Sequence, residues 1–132
     1  MGVRGSHMHE MSLVQQMIEV AEAELARLGH DSRPASLTLS VGSLSGASPE
    51  AMRFAFEMLS STGPWQGCRL EILEPGARCV CADCGAVTEI SDFTVNCPQC
   101  DSFAVTIEGG RELRLESITL DGQGRVNTNR SD

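Results

Sequence analysis

The chain predicts an α+β fold in which two helices pack on a three-stranded sheet, with a zinc-ribbon-like four-Cys lobe inserted ahead of the last strand. Three observations predict it: two apolar stripes at helical spacing, three short runs in which apolar and polar residues alternate, and the pair of knuckles Cys81-Ala-Asp-Cys84 and Cys97-Pro-Gln-Cys100. Two such knuckles can close four thiolates around one tetrahedral ion and leave it no open position. That arrangement suits a metal that folds a loop rather than one that performs chemistry.

Taken in order, the first helix is expected to start at Ser12, whose hydroxyl can cap it while Gln15 completes a capping box. Val14, Met17, Ile18, Ala21, Leu25 and Leu28 form its apolar stripe, and Gly29 ends it. Leu37, Leu39 and Val41 alternate with Thr38 and Ser40, the period of a half-buried first strand. After the small residues 42–47, Ser48-Pro49-Glu50 supplies an N-cap, a first-turn proline and an acidic first turn. The second helix then runs to about Leu59, burying Met52, Ala55, Phe56 and Leu59, with Phe54 and Met58 widening the stripe.

Residues 60–67 form a polar turn carrying the single Trp, and Cys68, Leu70 and Ile72 alternate with Arg69 and Glu71 as the second strand. Cys68 faces inward there as a small buried hydrophobe rather than a catalytic thiol. The third strand, Glu112 to Leu120, changes phase between Leu115 and Ile118 and calls for a bulge near Ser117.

These elements divide the chain into an α/β domain over 8–76 plus 109–121 and a metal lobe over 77–108. Pro75-Gly76 and Gly109-Gly110 act as two flexible joints. Val87, Ile90, Phe93, Val95, Phe103, Val105 and Ile107 supply short strands and a very small core, too small to hold without metal. Residues 122–132 contain one apolar residue and no period and are expected to be a disordered tail. Residues 1–7 have the look of an expression-tag remnant, so the fold is read from Met8.

Composition narrows the function. Hydrophobic content of 41% indicates a globular chain, and aromatic content of 4% indicates an aliphatic core with no platform for stacking bases. The net charge of -8, from 18 acidic and 10 basic residues, repels polyanions, so nucleic acid is not an expected partner. The N-terminal run holds no apolar stretch for a signal peptide or a membrane span; a cytoplasmic location, where thiols stay reduced, is expected. That makes disulfides a poor reading of the knuckles, and the βαβ context of a dithiol redox pair is missing around Cys81. Zinc is the expected ion at Cys81, Cys84, Cys97 and Cys100, although a four-thiolate iron site shares the same donors. Cys79, two residues before the first knuckle, reads as a free thiol that could compete with Cys81.

The start Met8-His-Glu-Met-Ser-Leu13, the run Val41-Gly-Ser-Leu-Ser, Pro49-Glu-Ala-Met-Arg-Phe-Ala-Phe-Glu57, the two knuckles and Gly110-Arg-Glu-Leu113 together resemble the HypA/HybF family of hydrogenase-maturation nickel chaperones. The resemblance spans Met8 to about Leu120, and the Met-His-Glu start combined with a late four-Cys lobe is specific to that family. It implies a nickel metallochaperone, not an enzyme and without catalytic residues, that delivers Ni(II) for maturation of nickel-iron hydrogenase. Ni(II) is the transferable cargo, mapped onto Met8, His9 and Glu10; Zn(II) is structural, on the four knuckle cysteines. The implied partners are a nickel-handling GTPase of the HypB type, the hydrogenase large subunit and, because some members serve urease, urease maturation proteins.

Chemistry supports that mapping, since Ni(II) favours nitrogen donors and an imidazole with adjacent main-chain nitrogens makes a planar set anchored by His9. Taken without the family, a lone His before a helix is more often solvated or capping. In this sequence Met8 follows residues 1–7, so its nitrogen is an amide, and His7 could partly substitute. Two rival functions remain: a zinc-ribbon protein-interaction adaptor, and a thiol-based redox sensor using Cys79 and the knuckles, whose signature would be zinc release with disulfide formation.

Overall fold

A computed structural model describes residues 2–29, 33–121 and 124–127, with the side chains of 2–9 and 124–127 left out. The elements are α1 (Gly2–Leu28), β1 (Pro34–Val41), α2 (Pro49–Leu59), a 3-10 turn (Gly63–Trp65), β2 (Arg69–Leu73), β3 (Ala77–Cys81), β4 (Val87–Ile90), β5 (Val105–Gly109), β6 (Leu113–Leu120) and β7 (Gly124–Asn127). They fall into two compact units, one of Met1–Ser40, Ala47–Ile72 and Arg114–Asp132, the other of Val41–Gly46 and Leu73–Leu113. The segment 77–108 lies inside the second unit, which also takes in 41–46, 73–76 and 109–113. Among the described residues no helix is long and apolar enough to cross a membrane.

In the first unit α1 packs on α2, and the sheet runs in the order β2-β1-β6-β7. The helix does not begin at Ser12. Residues 2–11 contain no proline, the chain stays helical through them, and Ser12 is an exposed mid-helix residue rather than a cap. Of the expected stripe, Val14, Met17, Ile18 and Ala21 are buried, Leu25 is half-buried and Leu28 is exposed. Gly29 then terminates the helix at φ 73°, a left-handed conformation that glycine adopts without a Cβ penalty.

α2 starts as expected: Ser48 has an extended backbone, its hydroxyl accepts from the Ala51 N–H at 3.1 Å, and Pro49 follows. Met52, Ala55 and Phe56 are buried, but Phe54 and Met58 are 58% and 53% exposed and belong to the outer face. β1, an interior strand between β2 and β6, is buried along both faces, including Ser36, Thr38 and Ser40, rather than half-buried as expected. Trp65 is part of this core: it is buried, and its indole N–H donates to Glu22 at 2.9 Å. Cys68 faces inward, and burial pushes its thiol up to about 11.

The segment expected as a disordered tail contributes a strand. β7 pairs antiparallel with β6, Ser117 opposite Asn127 and Leu120 opposite Gly124, through backbone hydrogen bonds that need no apolar period. Residues 122–123 and 128–132 lie outside the described residues. Burial in β6 changes phase between Ser117 and Ile118, so that Leu115, Ser117, Ile118 and Leu120 are all buried.

In the second unit β4 and β5 flank β3, both antiparallel to it. Register places Ala77, Cys79 and Cys81 on one face with Thr88, Ile90, Val105 and Ile107, and Arg78 and Val80 on the other with Val87, Glu89, Thr106 and Glu108. The first face is the buried one, yet its fully buried side chains, Ala77, Cys79 and Cys81, are small, and Ile90, Val105 and Ile107 are only half-buried. Val87, Phe93, Val95 and Phe103, expected to form the small core, are 60%, 59%, 75% and 77% exposed. Val87 lies on the outer face of the sheet, and Phe93, Val95 and Phe103 lie in the loops between β4 and β5; Phe93 lies under the Arg111 guanidinium, 5.2 Å from the ring centre.

The glycine joints are braced rather than free. The N–H groups of Gly42, Ser43 and Leu44 donate to Glu112 O (2.7 Å), Pro75 O (2.9 Å) and Gly110 O (2.6 Å), so one short segment ties both ends of the inserted chain. Packing leaves no room for a side chain there: a Cβ on Gly42 would stand 2.2 Å from Gly110 O, and one on Gly110 would meet Ala77 Cβ at 2.7 Å. Gly42→Ala is therefore expected to destabilise the second unit by on the order of 2–3 kcal/mol and to speed amide exchange at Ser43 and Leu44. Gly76→Ala, which meets nothing closer than Ile90 O at 4.0 Å, serves as the control and should stay within about 0.5 kcal/mol of the parent. Equal protection at Ser43 and Leu44 in parent and Gly42→Ala would show that the brace is dispensable.

Candidate metal centre

β3 delivers Cys81 at its end, and the chain folds at once into a tight turn that returns Cys84 to the same point. The second knuckle repeats the geometry. Cys81 N–H donates to Ala86 O and Cys97 N–H to Ser102 O; Gly85 N–H closes on Cys81 O and Asp101 N–H on Cys97 O. In each knuckle a backbone N–H also points at the first sulfur: Cys84 N at 3.4 Å from Cys81 Sγ, Gln99 N at 3.3 Å from Cys97 Sγ.

Each turn requires a left-handed residue after its second cysteine. The first supplies Gly85 at φ 78°, whereas the second supplies Asp101 at φ 70°, whose carboxylate accepts from the Asn96 amide. Ser102 adds a bond from its hydroxyl to Asp83, linking the two knuckles, and Ala82 N–H donates to Ala104 O. Asn96, Asp101, Ser102 and Asp83 thus support the site, although sequence alone singled out only the cysteines. The detectable signal was the position of Asp101, one residue after the second knuckle, where the first has glycine.

The four sulfurs converge within 4.8 Å of one another, with Cys81 to Cys100 at 3.6 Å and Cys84 to Cys97 at 3.7 Å. A tetrahedron with metal–sulfur bonds of about 2.3 Å has edges of roughly 3.8 Å, so one ion fits among these atoms. The separations are far from the ~2.0 Å of a disulfide, and all six cysteines are free. Cys79, fully buried on β3, lies outside the cluster.

The thiols are not equivalent. The Cys84 N–H holds Cys81 down at about 7, and the Cys100 N–H lowers Cys97 in the same way. Cys84 and Cys100 gain from the N–H groups of Ala86 and Ser102, but burial and the neighbouring thiols outweigh that and raise both, Cys100 to about 12. Four sulfurs this close cannot all ionise unless a cation neutralises them, which is the electrostatic signature of a metal site.

Of the three residues mapped to nickel, Met8 and His9 lie on α1, and their side chains are outside the described set. Glu10 is described and is 1% exposed. Its Oε2 accepts from the Ser48 N–H at 2.7 Å, while Oε1 is buried with no partner among the described residues. Ser48, the N-cap of α2, is thus a neighbour of the start that sequence reading assigned to capping alone.

Comparison with known proteins places this arrangement. The family described as "Hydrogenase/urease nickel incorporation, metallochaperone, hypA" matches residues 8–120. The hydrogenase maturation factor HypA of Rhodopseudomonas palustris (strain TIE-1) is 39% identical over 114 residues, covering 86% of this chain and 100% of that protein. The HypA of Chlorobium luteolum is 36% identical over 118 residues, 89% of this chain and 99% of that one. The solution structure of the Ni metallochaperone HypA from Helicobacter pylori has the same fold at 23% identity, with a TM-score of 0.57 over 84% of this chain and 96% of that one. A second HypA solution structure gives a TM-score of 0.58 at 24% identity, over 86% and 96%. With four thiols set for one ion and the family matched from Met8 through β6, the chain belongs to the HypA family of hydrogenase and urease nickel-incorporation metallochaperones.

Proposed function

We propose that this chain carries Ni(II) at the start Met8-His9-Glu10 and passes it on for maturation of nickel-iron hydrogenase, while zinc at Cys81, Cys84, Cys97 and Cys100 holds the second unit in shape. The observation that carries this reading is the family match, which opens at Met8 itself and runs across both knuckles. The two metals are separated by donor chemistry. Four closed thiolates suit Zn(II) and keep it, whereas an imidazole beside main-chain nitrogens suits Ni(II) and leaves it open for transfer. The protein is a carrier rather than a catalyst. It works in the cytoplasm with a GTPase of the HypB type and the hydrogenase large subunit, and urease maturation proteins form a further set of clients.

The helix bears on how the cargo is held. In a chain beginning at Met8 the first four N–H groups of α1 have no intrahelical acceptor, so main-chain nitrogens there are available to nickel without breaking a hydrogen bond. In the 132-residue chain α1 extends back to Gly2, and its earlier turns supply acceptors for those same groups. Nickel binding should accordingly be measured on protein that begins at Met8.

In that protein His9→Ala is expected to lose specific Ni(II) binding by at least tenfold while keeping zinc, helix content and melting temperature. Calorimetric titration is the check, and parent-like nickel affinity would defeat the proposed cargo site. Cys81→Ser or Cys97→Ser should lose zinc and amide protection across 77–109 while both helices stay protected. Cys79→Ala should keep one zinc per chain and cost on the order of 1 kcal/mol for the buried sulfur removed; reduced zinc would make Cys79 a ligand.

Zinc affinity also has a predicted pH dependence. The two raised thiols, Cys84 and Cys100, keep their protons at neutral pH and must release them to the solvent on binding. Apparent affinity then rises with pH by roughly tenfold per unit for each displaced proton, and acid releases the metal. Competition with a chromophoric chelator between pH 6 and 8 measures the slope; a flat profile contradicts it.

A further inference from the structure

We infer that Glu10 is a positioning residue for the nickel-binding start rather than a nickel ligand. This deepens the cargo site proposed above and rests on it. The ground is where the carboxylate already is: it is buried to 1% exposure, with Oε2 on the Ser48 N–H at 2.7 Å.

Ser48 is the N-cap of α2, an 11-residue helix, and its own hydroxyl is committed to Ala51 N–H. The Glu10 carboxylate therefore occupies the positive end of α2 from outside that helix, in a charge-assisted hydrogen bond that a neutral partner matches only in part. It bridges residues 38 apart in sequence, joining the start of the cargo segment to the start of the second helix.

To ligate a metal arriving from solvent, this carboxylate would have to leave the interior and surrender the Ser48 bond. Held in place, it does something else. Glu10 is one peptide unit from His9, so fixing its side chain fixes the backbone that carries the His9 imidazole and the adjoining main-chain nitrogens. A planar donor set needs that backbone in one conformation, and pre-setting it removes an ordering cost that nickel would otherwise have to offset. Oε1, buried with no partner among the described residues, adds to the cost of burying the carboxylate.

The inference separates two isosteres. Glutamine keeps a carbonyl oxygen for the Ser48 N–H but is a poor Ni(II) ligand in place of a carboxylate, whereas alanine keeps neither function. In protein beginning at Met8, which retains the whole family-matched segment, Glu10→Ala should weaken Ni(II) binding roughly tenfold or more and shift the Ser48 amide resonance. Glu10→Gln should bring affinity back to within about fivefold of the parent, with the parent Ni(II) absorption and circular-dichroism bands restored. In the parent the Ser48 amide resonance should keep its position through a nickel titration, because the carboxylate stays on α2.

Glu10→Gln losing as much affinity as Glu10→Ala, or altering the Ni(II) bands, would make the carboxylate a ligand and overturn the inference. Parent-like binding by Glu10→Ala would overturn it as well. Should Glu10→Ala fail to fold, the glutamine variant and the parent Ser48 resonance decide alone. Failure of the cargo site itself has a different mark: His9→Ala would then bind nickel like the parent, whatever happens at Glu10.

Discussion

The second unit depends on four sulfurs being held within a few ångströms of one another. Its buried apolar side chains are Val41, Ala77, Cys79, Cys81 and Cys97, while Val87, Phe93, Val95 and Phe103 face solvent. Burial of such small groups contributes a few kcal/mol at best, at about 25 cal/mol per Å². A structural zinc on four thiolates is worth roughly 10–16 kcal/mol, as much as the whole stability of an ordinary domain. With zinc at these four cysteines, as proposed, the metal term decides whether this unit folds. The Gly42–Leu44 brace has a narrower role: with three backbone hydrogen bonds it ties the chain at the start of β3 and past the end of β5, the end of the sheet away from the knuckles, and it works only because residues 42 and 110 have no side chain.

The first unit is organised the other way, by conventional burial. Val14, Met17, Ile18 and Ala21 of α1, Met52, Ala55 and Phe56 of α2, and Leu37, Leu39 and Ile118 of the sheet are all withdrawn from water. Among the described residues of that unit one carboxylate, Glu10, is buried in the apolar interior, and one of its oxygens has the N-terminus of α2 as partner. A buried carboxylate is expensive unless it is hydrogen-bonded, so one placed beside the proposed nickel-binding start points to a role in function more than in stability. The proposed structural metal and the proposed cargo site thus rest on different physics, thiolate charge in one unit and a pinned helix start in the other.

Sequence conveyed most of this where a pattern had a single physical cause. The knuckle spacing, the Ser48-Pro49 start of α2, the Gly29 stop and the inward face of Cys68 are such cases, because each residue type is nearly the only one that meets the local demand. Sequence is ambiguous where a residue has two uses. Ser12 can cap a helix or sit on its surface, and nothing in residues 2–11 forces the chain out of the helix. Phe54 and Met58 lie at helical spacing but on the outer side, a distinction that only the neighbouring layer makes. Val87, Phe93, Val95 and Phe103 carry apolar surface with nothing above it. Backbone interactions were invisible for another reason: β7 pairs through main-chain groups, and the brace at 42–44 uses N–H groups that every residue but proline possesses. The Glu10 contact joins α1 to the start of α2, so no local window of sequence contains it.

On the proposed function one chain holds two metals in two kinds of site, one retained and one carried. Metal analysis of protein that begins at Met8, before and after addition of Ni(II) and again after a mild chelator, tests it most directly. The account predicts one zinc per chain throughout, one nickel gained on addition, and that nickel alone removed by the chelator. Nickel entering only as zinc leaves, so that the total stays at one metal per chain, would contradict it.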